Sequence, residues 1–238
     1  MHVSIYFEQQ DIVVPGQLLA EGDYRQGDGA YKEQEQIFAA VIGLAKMKGK
    51  TIYVVPLQGQ YTPKVRDIII GKVVEVTLNG WLVDINSPYP AMLPVMHALS
   101  RHDATHAKEN LRRWYDLGES VVAEIIAADR TRDPLITTRG RGLGKIRGGV
   151  LMTIAPARVP RLIGRKGSMI NMLKSELQTD IVVGQNGVVW MKGNPDRVDI
   201  AIDAIRQIER EAHTSGLTDR VRETISEKLA EMKGEKDE

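Results

Sequence analysis

Apolar and polar positions follow one another along this chain in three distinct rhythms. Over residues 1–62, short apolar runs (DIVVPGQLLAEG, IFAAVIGLAKMKGK, TIYVVPL) are broken by Gly at strand-length intervals. This spacing predicts a small all-β unit. Between them, EGDYRQGDGAYKEQEQ (residues 21–36) shows no apolar period and reads as a long loop. Its Glu33 and Glu35 read as a solvated face rather than as ligands. Residues 63–141 change to strand, turn, strand in DIIIGKVVEVTLNGWLVDI, with Asn79-Gly80 expected to supply the positive φ of a tight hairpin. SPYPAMLPV and a polar, His-containing insertion follow. ESVVAEIIAADRTRDPLITTRG then reads as two more strands around an Asp-Arg-Thr-Arg-Asp-Pro turn. Five short strands with one insertion fit a small barrel of the OB-fold type.

The third rhythm is helical. After the Gly-rich connector GLGKIRGG (residues 142–149), VLMTIAPARVP opens with a strand. In SMINMLKSELQ, Met169, Ile170, Met172, Leu173 and Leu177 share one helical face. TDIVVGQNGVVWMKG reads as a hairpin turning at Asn186-Gly187, flanked by Gly184. Asn194 and Pro195 have the chemistry of an N-cap and first helical residue, and Val198, Ala201, Ile202, Ile205 and Ile208 line the buried side of the helix they start. The order over residues 147–216 is β-α-α-β-β-α. A charged helix runs from Thr218 to about Met232, and the tail GEKDE is expected to fray. The fold class is therefore α+β and multidomain: an N-terminal all-β domain (1–62), an OB-fold barrel (63–141), a β-α-α-β-β-α domain (147–216), and a C-terminal helix and tail (217–238).

Charge adds direction to this picture. The 238-residue chain has a formal net charge of only +1. Yet residues 134–175 contain no Asp or Glu and nine cations: Arg139, Arg141, Lys145, Arg147, Arg158, Arg161, Arg165, Lys166 and Lys174. A near-neutral protein with one concentrated cationic segment carries a directed footprint for a polyanion. The chain has no Cys, which excludes disulfides and thiolate metal sites. No apolar run approaches the ~18 residues of a membrane span, and the N-terminus lacks a signal-peptide layout, so a cytoplasmic soluble protein is expected.

The densest chemistry lies in VPRLIGRKGSMI, residues 159–170. Each Gly inside a helix costs roughly 1 kcal/mol relative to Ala, so Gly164-Arg165-Lys166-Gly167 needs a reason. The glycines are too close for a P-loop, and a helix rather than a strand precedes them, against a dinucleotide fold. A Gly-x-x-Gly loop joining two helices fits the KH module, type I by its element order, which clamps single-stranded nucleic acid. Missing Cβ atoms let a sugar-phosphate backbone approach. The following helix offers free N–H groups, and Arg165 and Lys166 add charge at the contact.

From about residue 15 onward the chain resembles the S1/KH RNA-binding cap subunits of the archaeal exosome. The stretches that carry the resemblance are YTPKVRDIIIGKV (61–73), NGWLVDINSPYPAMLPV (79–95), PARVPRLIGRKGSMI (156–170), VVGQNGVVW (182–190) and EAHTSGLTDRV (211–221). The resemblance implies a non-catalytic cap, alone or mixed with a second cap protein in threes, on a hexameric ring of RNase-PH-like subunits. Such a cap would recruit single-stranded RNA, favour A-rich strands and feed the 3′-to-5′ phosphorolytic site, with the N-terminal domain docked on the ring. The family's GQNG signature, Gly184–Gly187 here, reads as structural rather than RNA-contacting.

The barrel departs from the S1 pattern. Leu82 and Asn79 stand where aromatics are usual, and Pro94 near a usual His. Trp81 is displaced by one residue and is expected to pack on the other side of the sheet. Barrel contacts to RNA are therefore expected to be electrostatic, from Arg112, Arg113, Arg130 and Arg132. The expected RNA-binding set is completed by Gly164, Arg165, Lys166, Gly167, Arg158, Arg161, Arg139, Arg141, Lys145 and Arg147.

Two rival classes bear weighing. An enzyme would need a constellation that the modules do not supply; His97, His102 and His106 with Asp103 match no zinc-helix spacing. No metal, cofactor or membrane partner is expected. A purely structural cap would leave the acid-free segment without its reason; a free-standing translation or ribosome factor built from the same modules would instead be told apart by its partners, ribosomal proteins rather than RNase-PH-like subunits.

Overall fold

In a computed structural model, the protein is described over residues 4–57, 59–106, 110–129, 132–212, 214 and 216–234, with only the backbone described at 101, 105, 106 and 233. The chain forms two compact units, residues 1–59 and 60–238.

The first unit contains β1 (Ser4–Ile5), β2 (Ile12–Val13), β3 (Leu18–Glu21), β4 (Arg25–Gln26), β5 (Ala30–Glu33), β6 (Gln36–Ala39), β7 (Gly43–Lys48) and β8 (Thr51–Pro56). They form two four-stranded sheets, ordered β1-β3-β6-β5 and β2-β7-β8-β4. Val13, Leu19, Ala20, Ile37, Ala39, Ala45, Ile52 and Val54 make one core between them. The long loop expected over residues 21–36 is not there. β4 pairs with β8 and β5 with β6, and Tyr31 stacks on Phe38 across that pair at 5.5 Å. β5 is polar because it is an edge strand and largely exposed, so it shows no apolar alternation. Gly29 permits the crowding: its φ is +71°, and a Cβ there would lie 2.3 Å from the Val54 carbonyl oxygen.

The second unit begins with the barrel: β9 (Ile68–Thr77), β10 (Gly80–Asp84), β11 (Ala91–Pro94), β12 (Ser120–Ala127), β13 (Leu135–Thr137) and the short β14 (Gly144–Lys145). The order β13-β11-β10-β9-β12 closes through the β12–β13 pairing, leaving β14 alongside β12. The insertion between β11 and β12 folds as α1 (Val95–Ala98), α2 (Arg101–His106) and a 3₁₀ turn, Leu111–Arg113. The β9–β10 hairpin differs from expectation. Its central residues are Leu78 and Asn79, neither at positive φ; the positive φ falls on Gly80 alone (159°), already the first residue of β10. Gly is required there by space as well: a Cβ would lie 2.2 Å from the Leu93 oxygen on β11. Trp81 is fully buried in the barrel, donates its indole N–H to the Tyr115 carbonyl (2.8 Å) and meets the Tyr115 ring edge-on. The alternation that faces Trp81 inward turns Leu82 outward, half-buried between Glu75 and Met92.

The last part contains β15 (Val150–Thr153), α3 (Val159–Ile163), α4 (Ser168–Leu177), β16 (Asp180–Val183), β17 (Val188–Lys192), α5 (Pro195–Arg210) and α6 (Leu217–Gly234). The antiparallel sheet runs β15-β17-β16, and the helices cover one of its faces. All five apolar α4 positions read from the sequence are buried. Asn194 caps α5 by accepting the Asp196 N–H, with Pro195 first in the helix. α6 is not an appendage: Leu217, Val221 and Ile225 are buried in the same core as α4 and α5. The tail beyond residue 234 lies outside the described residues.

Candidate nucleic-acid interface

α3 stops after five residues because Gly164 takes φ 76° and ψ 175°, which a Cβ would forbid by meeting the Met169 amide at 2.8 Å. Arg165–Gly167 makes a single 3₁₀ turn in which Lys166 (φ 51°, ψ 28°) and Gly167 (φ 79°, ψ 14°) are left-handed. Left-handed backbone at a non-Gly residue is uncommon, and here it turns the Lys166 side chain out of the loop into solvent. Arg165 and Lys166 are both exposed. No side chain caps α4, whose N-cap is Gly167 and whose first turn has no acid. Behind the loop, Leu162, Met169 and Ile170 anchor it in the core. The result is a cationic, Cβ-poor bend beside an uncapped helix start, on an apolar base. Such a site can hold a chain phosphate and pack a base beside it.

Family models agree with this geometry along most of the chain. Residues 10–58 match the exosome RNA binding protein RRP4 N-terminal domain, residues 60–127 the RRP4 S1 domain, and residues 149–197 a KH domain. The exosome complex component Rrp4 of Methanothermus fervidus is 46% identical over 221 residues, covering 93% of this chain and 97% of the relative. That of Thermococcus kodakarensis is 44% identical over 233 residues, covering 97% and 90%. This chain belongs to the Rrp4 family of exosome complex components. A crystal structure of a candidate exosome complex RNA-binding protein superposes with a TM-score of 0.64 at 38% identity, covering 72% of this chain and 98% of that one.

The cations expected to bind RNA are not gathered at one place in this Rrp4 family member. Arg165 and Lys166 crown the loop, with Arg158 half-buried before α3. Arg161 is turned inward: it donates to the Thr214 carbonyl at 3.1 Å, and its Nε is buried. On the barrel side, Arg112 and Arg113 are exposed on the 3₁₀ turn, Arg112 lying 3.8 Å from Asp116. Arg132 is exposed in the β12–β13 loop, and Arg130 lies outside the described residues. Arg139 donates to the Leu99 carbonyl, Arg141 is exposed, and Lys145 is bonded to Glu119. Arg147 is exposed in the connector. Of the histidines, His102 lies 3.7 Å from Asp103, and the His106 side chain is outside the described residues. Among the described residues no group of His, Asp and Glu is arranged to hold a metal ion.

The GQNG segment does more than turn a hairpin. Only Gly187 takes positive φ; Asn186 does not. The Asn186 side chain is fully buried against the barrel. Its Oδ1 accepts the Ile70 N–H (3.2 Å), and its Nδ2 donates to the carbonyls of Ile70 (2.7 Å) and Ile85 (2.9 Å). Asn86 returns a bond to the Asn186 carbonyl (2.9 Å), and the Gln185 N–H donates to Ile68 (2.7 Å). Gly184 is needed because a Cβ would lie 2.2 Å from Asn186 Oδ1, and Gly187 because one would lie 2.3 Å from the Ile154 oxygen. This segment therefore plugs the KH sheet into strand β9 of the barrel, which the sequence reading of a turn did not reach.

Proposed function

We propose that this chain is the non-catalytic RNA-binding cap of an archaeal exosome. It binds single-stranded RNA and passes it to a ring of RNase-PH-like subunits for 3′-to-5′ degradation. The single observation that carries this reading is the Gly164–Gly167 bend, open, cationic and uncapped, within a chain of the Rrp4 family. Arg165, Lys166 and the two glycines hold the phosphate backbone. Arg158, Arg139, Arg141, Lys145, Arg147 and the barrel cations Arg112, Arg113, Arg130 and Arg132 extend the field that draws RNA in. Leu82 in place of an aromatic supports a barrel contribution that is electrostatic rather than stacked. No helix among the described residues is long and apolar enough to cross a membrane. We place the protein in the cytoplasm, in trimeric caps of one or mixed composition, with A-rich strands preferred.

The test is binding of the purified chain to labelled oligoadenylate across a salt series. Affinity is expected to fall steeply with salt, with a log–log slope of about 0.7 per phosphate neutralised on a single strand. Binding that is absent at low salt would favour a purely structural cap. Steady shortening of the RNA by the chain alone would make it an enzyme. Pull-down separates the remaining alternative, since a free-standing translation factor would bring down ribosomal proteins instead of ring subunits.

The N-terminal unit suits docking on the ring. Ile12 is 66% exposed, Val14 53% and Ile42 54%, and the Ile12↔Leu44 and Val13↔Gly43 register of β2 and β7 sets them side by side on one outward face. Ile12→Asp with Ile42→Asp is expected to abolish co-purification with ring subunits while oligoadenylate binding stays within about twofold, since ordinary surface substitutions move stability by roughly 0.5 kcal/mol or less. Undiminished ring association would move the docking face elsewhere.

A further inference from the structure

The KH sheet has a second face, and it is not bland. The core side carries Val189 and Met191; the outward side of β17 carries Val188, Trp190 and Lys192. Trp190 stands half-exposed between its cross-strand neighbours, Leu151 on β15 (44% exposed) and Val182 on β16. Its indole N–H is already satisfied by the Gly148 carbonyl at 2.7 Å, and the ring edge lies against the Gly149 backbone. What remains open is a flat apolar surface with no polar demand of its own.

That surface forms one wall of a groove of about 420 Å3 between the KH sheet and the barrel. Lys145, Arg147, Glu119 and the backbone of Gly148-Gly149 are among its other lining residues. A smaller hollow of about 150 Å3 continues it, sharing Ser120 and Leu151 and adding Lys72 and Asp84. Lys192, at the edge, ties its ammonium to the Arg147 carbonyl at 3.3 Å. Glu119 is the one carboxylate in the larger groove and is engaged by Lys145. Burial pushes the Glu119 carboxyl up, but the Lys145 hydrogen bond and charge, together with the Asp116 N–H, outweigh it and leave the group below its ordinary range, ionised at neutral pH. The larger groove thus keeps an excess of positive charge, with exposed Arg147 contributing it.

We infer that this groove is a second single-stranded RNA site, in which a base stacks on Trp190 and the adjoining phosphate meets Arg147. The inference rests on the RNA-binding reading above but uses a different face of the KH domain, across the sheet from the helices that carry the Gly164–Gly167 loop. Two features favour nucleic acid over a protein segment. An aromatic face with its polar atom already satisfied suits sequence-tolerant stacking. Gly148 (φ 68°) has nothing within 4 Å of where a Cβ would stand, so a sugar-phosphate chain can approach the peptide backbone at the mouth.

The experiment uses the full chain and a 4-thiouridine-substituted single-stranded RNA, photo-crosslinked and mapped by peptide mass, beside titrations of three variants. An adduct on the peptide carrying Trp190 is expected. Trp190→Ala should weaken binding roughly tenfold, within the range of one stacked base, and Trp190→Phe should keep most of the affinity because it keeps a stacking face. Arg147→Ala, at an exposed position, should lower the salt slope by about 0.7 without touching the fold. Adducts confined to the Gly164–Gly167 loop, with Trp190→Ala and Arg147→Ala both binding like the parent, would overturn the groove while leaving the RNA-binding reading intact. A parent chain that binds no RNA at low salt would overturn both.

Discussion

Replacing Asn186 with Ala is expected to destabilise the second unit by about 3–5 kcal/mol and to split its melting into two transitions. The side chain makes three hydrogen bonds to the barrel, and Ile70 and Ile85, whose backbone groups it serves, are themselves buried. Alanine would strand one N–H and two carbonyls, each at about 1–3 kcal/mol before any water enters. With roughly 2–4 °C per kcal/mol for a unit of this size, the midpoint should fall by about 10 °C. The KH core, closed by α4, α5 and α6, should then melt apart from the barrel. Asn186→Asp is the harsher variant. Its carboxylate would face two carbonyls in a dry site, so its folded pKa is raised. The unfolded chain would then ionise first, and stability would drop as pH rises through the carboxylate range and recover in part below it. Calorimetry from pH 3 to pH 8 reads both effects. A single transition at the parent's midpoint for Asn186→Ala would show that the junction is held by something else.

The second large effect is on RNA. Gly167→Asp should lower the affinity for oligoadenylate by roughly 10- to 30-fold at low salt, with a melting temperature lowered by only a few degrees, because the left-handed backbone strains any side chain by about 1 kcal/mol. The left-handed conformation of Gly167 (φ 79°) is one that Asp adopts more readily than most residues. A Cβ there meets the Asn171 amide at 3.4 Å and the Ile170 side chain at 3.9 Å, with no clash, so the fold should persist. The carboxylate would point toward the approaching phosphate, and a like charge at such range costs about 1–2 kcal/mol between the surface and bulk-water limits. Gly164 is the wrong place for this experiment. A Cβ there drives into the α4 backbone, and lost binding would report lost structure. Affinity unchanged in Gly167→Asp would remove the loop from RNA binding.

What the sequence revealed depends on how locally each feature is determined. The α4 face and the α5 cap were readable because periodicity and capping act over a few residues, and the structure buries or bonds those same side chains. The inward placement of Trp81 followed from strand alternation once the S1 resemblance placed it one residue off the usual aromatic position. The polar edge strand β5 was invisible, since its partner β6 supplies the order that its own composition lacks. Gly80 was assigned to a turn, when part of the reason for it lies on a neighbouring strand eleven or more residues away. Asn186 is the clearest case. Asn-Gly within a hairpin has a sufficient local explanation, so nothing signalled that the side chain reaches Ile70, 116 residues earlier. Trp190 was passed over for the same reason: an aromatic in a strand is expected, and only the fold reveals which face it occupies.

The plug at Asn186 has a metric consequence for RNA. A strand that engages both the Gly164–Gly167 bend and the barrel meets two anchor points at a fixed separation, because the junction between them is hydrogen-bonded rather than tethered. The second contact then forms at an effective concentration set by geometry and not by a wandering linker. Short oligonucleotides gain nothing from it. Past one threshold length the affinity of the chain for single-stranded RNA is expected to jump, and further nucleotides are expected to add little.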